Sequence, residues 1–142
     1  MQVDNILQSK GRTVHTVTAR ASISDAVDIL NRQRIGAVVV TDNGKVTGIL
    51  SERDVVRHLG SDWNALAQKP VSEVMTRNVI TASSTNTVAD LMERMTEHRI
   101  RHMPIVEGNG ELVGIVSIGD VVKRKIEETE QEAIALKEYI AS

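Results

Sequence analysis

Cysteine is absent from the 142 residues, which excludes a disulfide scaffold, a cysteine nucleophile and a thiolate metal site. Such a chain suits a reducing compartment. Aromatic residues are almost missing: Trp63 and Tyr139 stand alone, and there is no phenylalanine. Single-strand nucleic-acid binders stack bases on aromatic platforms, and this chain has none to spare. Positive charge is not in excess either. A net charge of -2 and a pI near 6.1 argue against a basic nucleic-acid footprint. No apolar run approaches the ~20 residues that span a bilayer. The opening M-Q-V-D-N-I-L-Q-S-K-G lacks a cationic start followed by an apolar stretch, so no signal peptide is read. The expected location is the cytoplasm. The remaining composition, 41% apolar and 25% charged, is that of a soluble globular protein. A domain of this size buries ~68–70% of its unfolded surface and needs no metal or disulfide staple.

What the chain does contain is an internal duplication. Shifted by 65, Val14 falls on Val79, Thr16 on Thr81, Ile23 on Val88, Leu30 on Met95, Arg34 on Arg99 and Ile35 on Ile100. One extra residue in the second copy's turn changes the shift to 66. Gly44 then falls on Gly110, Gly48 on Gly114, Ile49 on Ile115, Ser51 on Ser117, Asp54 on Asp120 and Val55 on Val121. So many matches, with one gap placed in a turn, mark two copies of one unit, over residues 13–58 and 78–123.

Each copy predicts the order β-α-β-β-α. Residues 14–17 and 79–81 read as short extended pieces. Ile23, Ala26, Val27 and Leu30 draw an apolar stripe at the helical period, with Ser22 or Ser24 to cap it. Val88, Leu91, Met92 and Met95 repeat the stripe, with Ser84 or Asn86 as cap candidates. Ala37–Thr41 and Val46–Leu50 flank the turn D-N-G, a strong hairpin signal. Met103–Val106 and Leu112–Val116 flank E-G-N-G. The unbroken apolar character of these strands predicts burial on both faces. Second helices start at Ser51 and Ser117.

Residues 1–12 read as a lead-in segment and residues 59–77 as an ordered connection, with Trp63, Leu66 and Val71 too apolar for a loose linker. Neither half is large enough to bury a good core alone, so the halves pack together. From Val122 the positions Val122, Ile126, Thr129, Ala133, Leu136 and Ile140 form a heptad seam along an amphipathic C-terminal helix, residues 124–142. That seam either joins copies of the chain or folds back on its own domain.

Both copies carry glycine, two apolar residues, serine and an aspartate three positions on: Gly48 to Asp54, and Gly114 to Asp120. Ser-x-x-Asp before an apolar run is close to a capping box. The same helix start also suits an anion, since its free N–H groups point outward. A carboxylate there can accept from both hydroxyls of a ribose. The residues alone leave both readings open.

Two β-α-β-β-α copies, each with G-[IV]-[LV]-S-x-x-D-V-V, together with P-V-S-E-V-M-T (70–76) and R-H-M-P-I-V (101–106), resemble a pair of cystathionine-β-synthase (CBS) domains. The resemblance covers residues 13–125. It implies a mixed α+β or α/β fold, with the repeats packed as a pseudo-two-fold pair and a long helix at the C-terminus. It also implies a homodimer and two clefts for an adenosine ligand: AMP, ADP, ATP, NAD(H) or S-adenosylmethionine. Asp54 and Asp120 would hold the ribose diol, and Ser51 and Ser117 would contact ribose or phosphate. One cleft would set Asp120, Ser117 and Ile115 against Thr16, Ala21, Ile35, Gly36 and Ala37. The other would set Asp54, Ser51 and Ile49 against Thr81, Ile100, Arg101 and His102. Arg53, Arg57 and Lys123 are candidate phosphate contacts, with His58, Arg99 and Arg124 also near the clefts. Gly119 departs from the hydroxyl residue of some members, and Gly36 stands where the second copy has Arg101, so the clefts should differ in affinity.

Members of that family are often parts of enzymes or channels. A chain of 142 residues leaves little room for such a partner, so a stand-alone regulatory pair acting on a separate protein is expected. The expected switch is a tilt of the repeats or of the long helix. The alternative is a ligand-free scaffold working through its dimer surface and C-terminal helix. Enzyme readings fare poorly. His98 and His102 are four apart but lie in H-R-I-R-H, not H-E-x-x-H, so no metal site is read. G-I-V-S-I-G is not a nucleophile elbow. G-N-G-E-L-V-G lies in a hairpin and misses the third glycine of a dinucleotide fingerprint.

Overall fold

The computed structural model describes residues Met1–Ser142. The chain opens with helix α1 (Val3–Lys10), strand β1 (Thr16–Val17), helix α2 (Ile23–Gln33) and the hairpin β2 (Ala37–Asp42) and β3 (Lys45–Ser51). Helices α3 (Glu52–Leu59) and α4 (Trp63–Ala67) and a 3-10 turn (Val71–Glu73) lead to the second repeat. That repeat holds α5 (Val88–His98), β4 (His102–Val106), β5 (Leu112–Ser117) and α6 (Ile118–Ala141). The sheets are β1-β2-β3, with β1 parallel to β2, and the antiparallel pair β4-β5.

Local chemistry explains most boundaries. Ser22 caps α2 by accepting from the Asp25 N–H at 3.1 Å. The β2–β3 turn places Asn43 at φ 52 and Gly44 at φ 78, the left-handed pair that a two-residue hairpin needs. Both α2 and α5 end on a left-handed arginine, Arg34 and Arg99, so the duplication reaches down to backbone conformation.

Several expectations need correction. The cap of α5 is Thr87, which forms a capping box with Asp90, rather than Ser84 or Asn86. Those two are otherwise engaged: Asn86 Oδ1 accepts from the Ser83 N–H at 2.8 Å, and Ser84 Oγ donates to Glu107 at 2.7 Å. Residues 79–81 form no strand. Only a bridge between Ala82 and Ile105 remains, so the second repeat lacks its first strand. Burial on both faces holds for Ala37–Val40 and Met103–Ile105, whereas β3 and β5 alternate because one side of each faces a cleft or solvent.

The lead-in and the connection exchange places. Val3, Ile6 and Leu7 of α1 sit in the core of the second repeat with Val88, Leu91, Met103, Ile105 and Val116. Leu66, Val71, Val74 and Met75 complete the core of the first repeat with Ile23, Leu30, Val38 and Leu50. Two glycines allow this close approach. A Cβ on Gly114 would fall 2.6 Å from Leu7 Cδ2, and one on Gly48 would strike Met75 Sδ. Each arm therefore covers the opposite hairpin.

Helix α6 runs unbroken from the second repeat and is about 36 Å long at 1.5 Å per residue. Only Val121 is buried along it. The seam does not fold back: Val122, Ile126, Leu136 and Ile140 are all exposed.

Candidate functional site

The two Ser-x-x-Asp segments occupy the same place in their repeats, where the second hairpin strand turns into a helix. Both are complete capping boxes. The Ser51 N–H donates to Asp54 Oδ2 at 2.9 Å, and the Asp54 N–H donates to Ser51 Oγ at 3.2 Å. The Ser117 N–H donates to Asp120 Oδ2 at 2.8 Å, and the Asp120 N–H donates to Ser117 Oγ at 3.2 Å. Capping consumes one oxygen and leaves the other. The remaining oxygen of Asp54, Oδ1, has only a long contact at 3.4 Å from the Thr76 hydroxyl. Capping and ligand binding are thus compatible at Asp54.

A cleft of about 510 Å³ opens at Asp54. Ile49, Ser51, Arg53, Asp54 and Arg57 line it from the first repeat, and Ile100, Arg101 and His102 from the second. Its volume is within the range of small-molecule sites. The left-handed cap residue Arg99 also reaches it. Gly36 lies beside His102, whose ring a Cβ there would meet at 3.0 Å. Thr81 does not line this cleft. Its carbonyl instead accepts from Arg94 at 2.9 Å. Thr76, Glu52 and Val56 do line it. Thr76 is brought there by paired backbone bonds with Ile49, at 3.0 and 2.9 Å. The phrase P-V-S-E-V-M-T pointed at that segment, although nothing local pairs it with β3.

Asp120 has different company. Its cavity is smaller, about 260 Å³, and is lined by Ile6, Ser9 and Lys10 of α1 and by Lys123, Arg124 and Glu127 of α6. None of Ile115, Ser117, Thr16, Ala21, Ile35, Gly36 or Ala37 lines it. Ala37 is buried within β2, and Ile35 packs against the first repeat's core. The Lys10 ammonium donates to Asp120 Oδ2 at 2.6 Å. Burial opposes ionisation of Asp120, but Lys10 and the Ser117 N–H hold its carboxyl below the usual carboxylate range. Arg124 is engaged with Glu127 at 3.0 Å and the Asn5 carbonyl at 3.2 Å. His58 turns away from the open cleft, with Nδ1 2.8 Å from the Asp54 carbonyl oxygen.

Between the two sites sits His102. Burial and the positive charge of Lys10 push its pKa below the usual histidine value, against the pull of Glu52 and Asp120. Its ring is therefore neutral near pH 7. His98 ends α5 while His102 opens β4, and no group of three or more metal-ligating side chains gathers anywhere.

Comparison with known proteins agrees with this architecture. The family model of the CBS domain matches residues 10–61 and 71–127. The CBS domain-containing protein CBSX3, mitochondrial, of Arabidopsis thaliana is 31% identical over 147 aligned positions, covering 97% of this chain and 71% of that protein. The crystal structure of the CBS-domain containing protein ATU1752 from Agrobacterium tumefaciens is 47% identical. It superposes with a TM-score of 0.82 over 87% of this chain and 92% of that one. The CBS domain pair of protein MJ0100, solved in complex with 5-methylthioadenosine and S-adenosyl-L-methionine, is 29% identical. Its TM-score is 0.79, over 90% of this chain and 98% of that one. With both repeats matched and the fold shared along nearly its whole length, this chain belongs to the CBS domain family, as a tandem pair.

Proposed function

We propose that this chain is a non-catalytic regulatory module that binds a phosphate-bearing adenosine ligand at Asp54 and signals its occupancy to a separate protein. The open cleft carries the reading. It sets one carboxylate at a helix start against two isoleucines and four arginines. Asp54 would take the ribose diol, and Ile49 and Ile100 would enclose the adenine. Arg53, Arg57, Arg99 and Arg101 form no ion pair within the chain, so they are free for phosphates. Arginine grips phosphate oxygens with two parallel bonds.

Against those four arginines stand only Glu52 and Asp54, and the latter is taken by the ribose. This balance favours AMP, ADP, ATP or NAD(H). The protein MJ0100 was crystallised with S-adenosyl-L-methionine, but that ligand's positive sulfonium suits an arginine-rich cleft poorly. Self-association as a homodimer is part of the proposal. It is supported by exposed apolar side chains on α3 and α4 (Val56, Leu59, Trp63) and on α6 (Ile118, Val122, Ile126, Leu136). No helix is long and apolar enough to cross a membrane. A cytoplasmic location is part of the proposal.

The test is a thermal-shift panel of wild type and Asp54→Ala with AMP, ADP, ATP, NADH and S-adenosylmethionine, and GTP as control. A ligand at 100 times its dissociation constant adds about 2.7 kcal/mol, a rise of about 9 °C at this size. The rise should appear with a phosphorylated adenosine ligand and shrink in the variant. No shift with any ligand at millimolar concentration would overturn the proposal. It would leave the scaffold reading, for which the exposed face of α6 is the supporting observation.

A further inference from the structure

The duplication makes Asp54 and Asp120 equivalent in backbone and cap, yet they differ in one partner. No lysine or arginine nitrogen lies within ion-pair distance of Asp54, whereas the Lys10 ammonium sits 2.6 Å from Asp120 Oδ2. The two side chains are 30% and 25% exposed.

Lys10 is delivered there by a fixed backbone. It ends α1, whose Val3 and Leu7 are fully buried in the second repeat's core. The Val3 and Asp4 N–H groups donate to the carbonyls of Asn86 and Ser84 at 2.8 and 3.0 Å. The terminal amine of Met1 pairs with Glu128 at 3.4 Å. Only the four-carbon stem of Lys10 is free to move.

The Lys10 bond falls on Oδ2, the oxygen that also serves the cap, so a ribose diol approaching Oδ1 of Asp120 meets a carboxylate whose charge an ammonium already compensates. The cavity at Asp120, about 260 Å³, lies between α1 and α6 rather than between the repeats.

Resting on the adenosine reading above, we infer that Lys10 is a built-in occupant of the second repeat's ribose-binding carboxylate. Each chain therefore takes one adenosine ligand, at Asp54, and the Asp120 site opens only when Lys10 is withdrawn or neutralised. Lysine acetylation would act at this point, because it removes the charge.

Calorimetric titrations with AMP, ATP, NADH and S-adenosylmethionine, each run separately, test this on the full chain. Wild type should bind one ligand per chain, lost in Asp54→Ala and kept in Asp120→Ala. Lys10→Met should bind two, and Lys10→Met with Asp120→Ala should return to one. Lys10→Arg, which keeps the charge, should stay at one. Two ligands on wild type, or one on a folded Lys10→Met, would overturn the inference while the Asp54 cleft stands. A wild-type site lost in Asp120→Ala instead of Asp54→Ala would overturn both. If wild type binds none of the four, a site gained in Lys10→Met and lost again with Asp120→Ala upholds the occupant and removes the Asp54 reading. No site in either protein removes both.

Lys10→Gln with a ligand-free readout covers a poorly folded Lys10→Met. The carbon-13 titration of the Asp120 carboxyl should move to higher pH in Lys10→Gln, and an unmoved titration would overturn the pairing.

Discussion

Replacing Leu7 with alanine tests whether the N-terminal helix belongs to the core of the distant repeat. Leu7 is fully buried and lies against the bare face of Gly114. The substitution removes three carbons, worth about 2.4 kcal/mol in transfer at ~0.8 kcal/mol each. The unfilled space adds to that, and buried Leu→Ala changes span about 2.7–5 kcal/mol. Unfolding entropy near 2.1 cal/mol/K per residue gives about 0.3 kcal/mol per degree for 142 residues. The melting temperature should therefore fall by about 9–17 °C. Differential scanning calorimetry of wild type, Leu7→Ala and Ile134→Ala reads this directly. Ile134 is 57% exposed, so its truncation should stay within about 0.5 kcal/mol, or about 2 °C. A Leu7→Ala melt as close to wild type as the control would refute the docking of α1. The same melt would also remove the fixed platform from which Lys10 reaches Asp120.

Other outcomes follow from the same packing and charges. Gly114→Ala should cost about 1–3 kcal/mol through its clash with Leu7, and should be neutral or stabilising in the Leu7→Ala background, as a double-mutant cycle would read. His102 resists protonation in the folded state but titrates near 6.5 when unfolded, so the unfolded chain binds more protons as pH falls from about 7 to 5. Stability should decline over that window, and melts at several pH values should show a shallower decline in His102→Gln. Asp120 carries the same sign further into acid: its contribution is present above about pH 3.9 and is lost as pH falls through its lower folded value. Leu136→Glu with Ile140→Glu, both at exposed positions, should leave the melt of a dilute sample within about 2 °C of wild type. Light scattering should show the pair shifting the mass toward the monomer, and an unchanged mass would remove α6 from the dimer contact.

Features fixed by neighbours in sequence were legible from it. The Ser51–Asp54 and Ser117–Asp120 boxes need only a three-residue spacing, and the left-handed turn at Asn43 and Gly44 needs only its own residues. The repeat itself located both hairpins. Features fixed by distant partners were not legible. Helix α1 has eight residues and three buried side chains, too little for a helix to declare itself without the repeat it docks on. Nothing local marks Lys10, because its partner lies 110 positions away. Thr76 reached the cleft through a backbone pairing with Ile49 that no local pattern encodes. Ile49, Ser51, Asp54, Ile100, Arg101 and His102, grouped by the family resemblance, line one open cleft, while α1 supplies Lys10 beside Asp120.

The exchange of arms between the repeats sets what kind of motion this module can use. A swing of one repeat away from the other would leave Leu7 on Gly114 and Met75 on Gly48, since each pair lies within one core, and would instead bend the chain at its two crossings, after Lys10 and after Thr76. A cut after Gly60 would leave two fragments, each holding the piece the other needs to close its interior. The halves are joined by two crossings of the chain rather than one. Information about an occupied cleft then has two routes out, a change of angle at those crossings and the one element that runs beyond both cores, α6.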